Sequence, residues 1–188
     1  MFCEPAHHFF RNHSINSPCN ILEIGVFNGD SIANLADVFP NKTIYGIDPF
    51  IEDGYTTDHT GVGKNSFMNA QYANTLENIK NYPNAILFNT TSEDFYNQLT
   101  KKQINKMNVS WVLIDGSHHY TDVAIDVKLA IDLIGDKPGG IVFDDVNLSG
   151  VGKAYQEFLI TYNNKIAPPQ DLYGAHPGHI IAHFINYE

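Results

Sequence analysis

Arginine is nearly absent from this chain: Arg11 is the only one in 188 residues. A cluster of bidentate guanidinium contacts to phosphates or bases is therefore excluded. Lys and Arg together number 11 against 21 Asp and Glu, for a formal net charge of −10. General nucleic-acid binding neutralises phosphates with clustered cations, so no nucleic-acid partner is expected. Cysteine is scarce too, and Cys3 and Cys19 lack CxxC spacing. A bridge between them would close only a short N-terminal loop, so free thiols in a reducing compartment are expected. No apolar run is long enough to span a bilayer, and Met1 to Pro18 lacks the apolar stretch of a signal peptide. The expectation is a cytoplasmic protein with no membrane partner.

The chain is rich, by contrast, in short apolar runs. Hydrophobic residues make up 43% of it, which suits one domain over 1–188 with a short extension at 1–18. Strands are predicted at Asn20 to Ile24, Thr43 to Ile47, Ala85 to Phe88, Val109 to Ile114, Ile141 to Phe143 and His179 to Asn186. Helices are predicted at Asp30 to Phe39, Ser66 to Asn81, Ser92 to Leu99, Tyr120 to Ile134 and Val151 to Tyr162. Ser92 is placed to cap its helix, and Lys137 to Gly140 reads as a turn. The segment from Phe50 to Lys64 has no apolar period. This alternation predicts an α/β fold, a mostly parallel sheet with helices on both faces. Ligands of such sheets sit beyond the carboxyl ends of the strands, near the topological switch point. Asp48, Asp115, Asp144 and Asp145 all fall at those ends.

Glu23-x-Gly25-x-x-x-Gly29 joins the first strand to the first predicted helix. Glycine permits a tight turn and lets a ligand approach the backbone. Asp48 ends the second strand nineteen residues after Gly29, where a carboxylate can accept hydrogen bonds from both hydroxyls of a ribose. A nucleoside-type ligand is the expectation. The dinucleotide fingerprint is GxGxxG, whereas here Phe27 stands where a pyrophosphate would pass. The motif instead resembles motif I of class I S-adenosylmethionine-dependent methyltransferases, which implies a Rossmann-like fold and S-adenosylmethionine as cofactor. That resemblance gives Asp48 the ribose and places Ser92 near the adenine. The cofactor set is then Glu23, Gly25, Phe27, Gly29, Ser31, Asp48, Ser92 and Asp115.

Neighbouring parallel strands lie about 4.8 Å apart, so Asp115, Asp144 and Asp145 would converge if the fourth and fifth strands pair. Converging carboxylates repel, and a hard divalent ion such as Mg²⁺ would relieve this. The alternative is that Asp145 caps the following turn and Asp144 alone faces the site. Asp115-Gly116-Ser117-His118-His119-Tyr120, then Asp126 and Gly139-Gly140-Ile141-Val142-Phe143-Asp144-Asp145, resembles the branch holding macrocin O-methyltransferase-like sugar enzymes and relatives called cephalosporin hydroxylases. The resemblance runs over about Ile21 to Val146. It implies that Asp115, Asp144 and Asp145 hold a divalent metal and that His118 is the catalytic base, with Asp115 also catalytic. A bound cation lowers the pKa of a hydroxyl, and a histidine with pKa near 6.5 can take the proton. His119 is the competitor for that role.

The expected function is therefore metal-assisted O-methylation of a hydroxyl on a sugar or other small molecule. A hydroxylase-like metal enzyme and a non-catalytic nucleoside-binding module are the alternatives. A partner copy in a homo-oligomer, or the Phe50 to Lys64 segment, is expected to complete the acceptor pocket. His7 and His8 read as part of a mobile end. His176, His179 and His183 are assigned surface or packing roles, His179 and His183 sharing one strand face. Trp111 reads as core.

Overall fold

The computed structural model describes residues 4–51, 64–172 and 179–186, so Cys3, His176 and most of the Phe50 to Lys64 segment lie outside it. In chain order the elements are α1 (Glu4–Ser14), β1 (Asn20–Ile24), α2 (Asp30–Val38), β2 (Ile44–Ile47), α3 (Lys64–Ile79), β3 (Ala85–Phe88) and α4 (Ser92–Gln98). They continue with α5 (Lys101–Met107), β4 (Val109–Ile114), α6 (Tyr120–Ile134), β5 (Gly139–Phe143), α7 (Ser149–Thr161), β6 (Gln170–Asp171) and β7 (Ile181–Ile185). The sheet runs β3-β2-β1-β4-β5-β7-β6. Strands β1 to β5 pair in parallel, while β7 runs antiparallel to β5 and β6 antiparallel to β7. The order reverses between β1 and β4, which fixes the crevice beyond their carboxyl ends as the ligand position.

Burial along each strand follows its place in the sheet. All six residues of β4 are buried, as a central parallel strand covered on both faces requires. Alternate β4 side chains serve opposite layers. Val112 and Ile114 pack with α6 and α7 residues such as Val127, Leu133 and Phe158. Trp111 and Leu113 pack with α1 and α2 residues such as Phe10, Ile32 and Leu35. The α/β architecture with helices on both faces is as expected, and Trp111 is core, 1% exposed.

Three local expectations are corrected, and one helix is added. The segment around His7 and His8 is the helix α1, because Ala6, Phe9 and Phe10 form an apolar stripe at helical spacing that seats against Trp111. Gly139 and Gly140 begin β5 rather than a turn, since a Cβ on Gly139 would stand 1.9 Å from the Ser110 carbonyl oxygen. Helix α5 was not foreseen; its start is a Thr100–Gln103 capping box with no long apolar period behind it. The C-terminal region holds a hairpin, not one strand, because β6 is two residues long and shows no readable alternation. His179 precedes β7 and pairs with Asp171, while buried His183 bonds Tyr155 Oη (2.8 Å) and the Ala167 carbonyl (2.9 Å). Cys19 is a free, buried thiol. Among the described residues no helix is long and apolar enough to cross a membrane.

Candidate active site

Strand β1 hands over to α2 through residues 25–29. Gly25 and Gly29 hold φ of 90° and 87°, which side chains rarely tolerate. Gly25 also has no room for one: a Cβ would stand 1.9 Å from the Asp115 carbonyl oxygen. Its bare backbone lets the ends of β1 and β4 approach. Phe27 takes a positive φ of 52° while carrying a ring that is 53% exposed. Two bonds hold that strained residue. Its N–H donates to Asp48 Oδ2 (2.8 Å), and its carbonyl accepts from Thr75 Oγ1 (2.7 Å).

Asp48 organises the turn as a whole. Its Oδ2 also accepts from the Val26 N–H (2.9 Å), and its Oδ1 accepts from the Phe50 N–H (2.7 Å). A carboxylate offers about four lone-pair positions, so the backbone takes three. Beside this turn lies a cavity of about 470 Å³, bordered by Gly25, Phe27, Asp48, Ser92, Asp115 and Asp126. Ser92 is not the cap of α4; Thr91 is, accepting from the Asp94 N–H at 3.0 Å. Ser92 instead hydrogen-bonds Asp126.

Asp126 has no role in the sequence reading, yet it lines this cavity. It shares the buried face of α6 with Val123 and Val127, which is the signal that could have found it. Burial, and secondarily the Asp122 charge, push its carboxyl up to about 7, against a lowering bond from Ser92. Its Oδ1 has no hydrogen-bond partner.

On the other side of Gly25 lies a cavity of about 260 Å³, bordered by Glu23, Ser31, Asp115, His118, Asp144 and Asp145. Burial pushes the Glu23 carboxyl up to about 8, Asp48 adds to this by repulsion, and Ser31 hydrogen-bonds the carboxyl. Asp115 is held well above the usual carboxylate range by burial, then by the charges of Asp144, Glu23 and Asp145. Asp144 Oδ1 accepts from the Asp145 N–H at 2.7 Å. Asp145, at a φ of 55°, turns its Oδ2 to within 3.3 Å of His118 Nε2. His119 is exposed and stands at the N-cap of α6 without a side-chain capping bond.

The structure thus brings Asp115, Asp144, Asp145 and His118 to one cavity. Their oxygens are the hard donors Mg²⁺ prefers. Among the described residues no three His, Cys, Asp or Glu side chains are grouped to hold an ion.

Residues 22–146 match the family model Methyltransf_24, a methyltransferase domain. No curated protein matches the chain. Solved structures of similar fold include an rRNA methylase from Streptococcus thermophilus, at 11% identity and a TM-score of 0.64, covering 96% of this chain and 93% of that one. Another is CalS11, a TDP-rhamnose 3'-O-methyltransferase of calicheamicin biosynthesis, at 14% identity and a TM-score of 0.58, covering 94% and 76%. A third is the N-methyltransferase NodS from Bradyrhizobium japonicum WM9 bound to S-adenosyl-L-homocysteine, at 14% identity and a TM-score of 0.57, covering 98% and 86%. These act on three kinds of acceptor, so the shared fold does not choose one. The expectation of no nucleic-acid partner accordingly rests on charge alone. With the matched segment, the switch-point crevice and the glycine turn in place, the chain belongs to the methyltransferase domain family and is a class I S-adenosylmethionine-dependent methyltransferase.

Proposed function

We propose that this methyltransferase acts on a hydroxyl group of a small molecule, with sugars as the first class to test. The observation that carries the proposal is the His118–Asp145 pair, 3.3 Å apart at the cavity that Glu23 and the Gly25 turn also border. A hydroxyl must lose a proton to become a competent nucleophile, and a histidine beside a carboxylate is suited to take it. Asp145, whose Oδ2 lies 3.3 Å from His118 Nε2, stabilises the imidazolium that results. CalS11, which shares the fold, is an O-methyltransferase acting on a TDP-sugar.

The cofactor supplies a methyl group on a positively charged sulfur. In this reading its nucleoside occupies the larger cavity, with Asp48 at the ribose and Ser92 and Asp126 deeper in. Glu23, with Oε2 buried and unpartnered, faces the cationic end of the cofactor. Phe27 lies between the two cavities and covers the bound ligand. Gly25 and Gly29 shape the turn, and Asp115 stands where both cavities meet. A partner copy is proposed to complete the acceptor side; a monomer in sedimentation at working concentration would remove that part. The free Cys19 agrees with a reducing compartment such as the cytoplasm.

The test is methyl transfer from S-adenosylmethionine to parallel panels of sugar hydroxyls, amines and RNA. Product confined to hydroxyls supports the proposal, and product on amines or RNA alone sinks it. Chelation separates the metal question. The chain's own base predicts transfer that survives EDTA, whereas loss restored by Mg²⁺ would show that Asp115, Asp144 and Asp145 close on an ion during turnover.

A further inference from the structure

Helix α1 lies outside the matched segment, yet one of its side chains is tied into the cofactor turn. His7 is only 7% exposed. Its Nδ1 lies 2.9 Å from Asn34 Oδ1 and its Nε2 lies 2.8 Å from Ser31 Oγ, both on α2. Ser31 in turn hydrogen-bonds the Glu23 carboxyl, whose Oε2 is buried without a partner. Ser31 and Glu23 border the smaller cavity, and His7 stands behind them.

The direction of these bonds follows from the groups. Burial lowers the His7 pKa, so the ring is neutral, with one nitrogen donating and the other accepting. The Asn34 carbonyl oxygen can only accept, so Nδ1 carries the hydrogen. Nε2 then accepts from the Ser31 hydroxyl, which commits that hydrogen, so in the Ser31–Glu23 bond the protonated Glu23 carboxyl donates and Ser31 Oγ accepts. Packing does not explain the imidazole. Phe9 and Phe10 already seat α1 against Trp111, and a hydrocarbon would fill the His7 space.

We infer that His7 is a positioning residue for the cofactor: it fixes the Ser31 hydroxyl, and through it the Glu23 carboxyl, against the cationic end of S-adenosylmethionine. This rests on the proposed placement of that end in the smaller cavity. Helix α1 is thereby part of the cofactor site without touching the ligand.

The test is calorimetric titration of S-adenosylhomocysteine into the full chain, which needs no acceptor. Its amino-acid end presents the same ammonium. His7→Leu should weaken binding about tenfold, the scale of one lost buried hydrogen bond, while His7→Gln, whose amide can still serve Ser31, should stay within about threefold of wild type. Because His7 acts through Ser31, adding His7→Leu to Ser31→Ala should weaken binding no further than Ser31→Ala alone. Wild-type affinity in His7→Leu, or fully multiplicative losses in the double variant, would overturn the inference and leave α1 a packing element. If His7→Leu does not fold, a tenfold loss in His7→Gln overturns it equally. A wild-type chain that fails to bind S-adenosylhomocysteine is a different result, and contradicts the cofactor placement itself.

Discussion

The two cavities flanking Gly25 are built on opposite electrostatic plans. On the larger side the polar groups around the turn are spent on the backbone: Asp48 alone accepts from Val26, Phe27 and Phe50. On the smaller side, carboxyls crowd with few donors, and Glu23 and Asp115 are both pushed toward their protonated forms. A preorganised wall binds a ligand without reorganising. A wall of crowded acids awaits positive charge, which a sulfonium cofactor brings. Binding and transfer should therefore be separable by substitution.

The largest expected effect strikes both sides at once. Gly25→Ala would place a methyl group 1.9 Å from the Asp115 carbonyl oxygen at a φ of 90°. It should abolish S-adenosylhomocysteine binding in calorimetry and lower the melting temperature, since strain and collision together cost several kcal/mol, on the order of 3 or more. Next, His118→Gln should lower kcat by roughly 10²–10⁴ in a methyl-transfer assay, with cofactor affinity retained. A parallel loss of affinity would mean that the two sides are one.

Asp126→Asn addresses the deep wall of the larger cavity through pH. The native carboxyl titrates at about 7 against an ordinary 3.8. Being raised on folding, it costs the folded state as pH rises above the unfolded value, and the cost levels off above the folded one. The amide variant should thus be more stable than wild type by about 2–4 kcal/mol at pH 8, with the gain shrinking as pH falls toward 4. Denaturant titrations at the two pH values measure it; a pH-independent difference would contradict the buried-acid assignment. The smallest effect is expected from Asp48→Asn. An amide nitrogen cannot accept, so one of the three backbone donors is orphaned and S-adenosylhomocysteine affinity should fall about tenfold. An unchanged titration would show that the turn holds itself.

Much of this was readable before any coordinates. The runs ending at Ile24, Ile47, Phe88 and Ile114 are strands ending where expected, because central parallel strands are apolar throughout and stop at Gly or a polar residue. Gly25, Asp48 and Asp115 were legible as a group because they close those runs. What escaped depends on tertiary contact. The grip of Asp48 on three backbone donors spans up to 22 residues, and no local pattern encodes it. His7 looked like part of a mobile end because its meaning lies in Ser31 and Asn34, far along the chain. Asp126 sat in view, an acid on an apolar helix face, but its cavity exists only once α4 and α6 pack. The carboxylates at the ends of β4 and β5 do meet at one cavity, as strand spacing led one to expect.

The most direct test of the separation pairs two readings on one variant, His118→Gln: titration of S-adenosylhomocysteine, and transfer of labelled methyl to the hydroxyl panel. The account predicts wild-type affinity with transfer reduced at least about a hundredfold. Transfer at the wild-type rate, or affinity lost together with transfer, would contradict it.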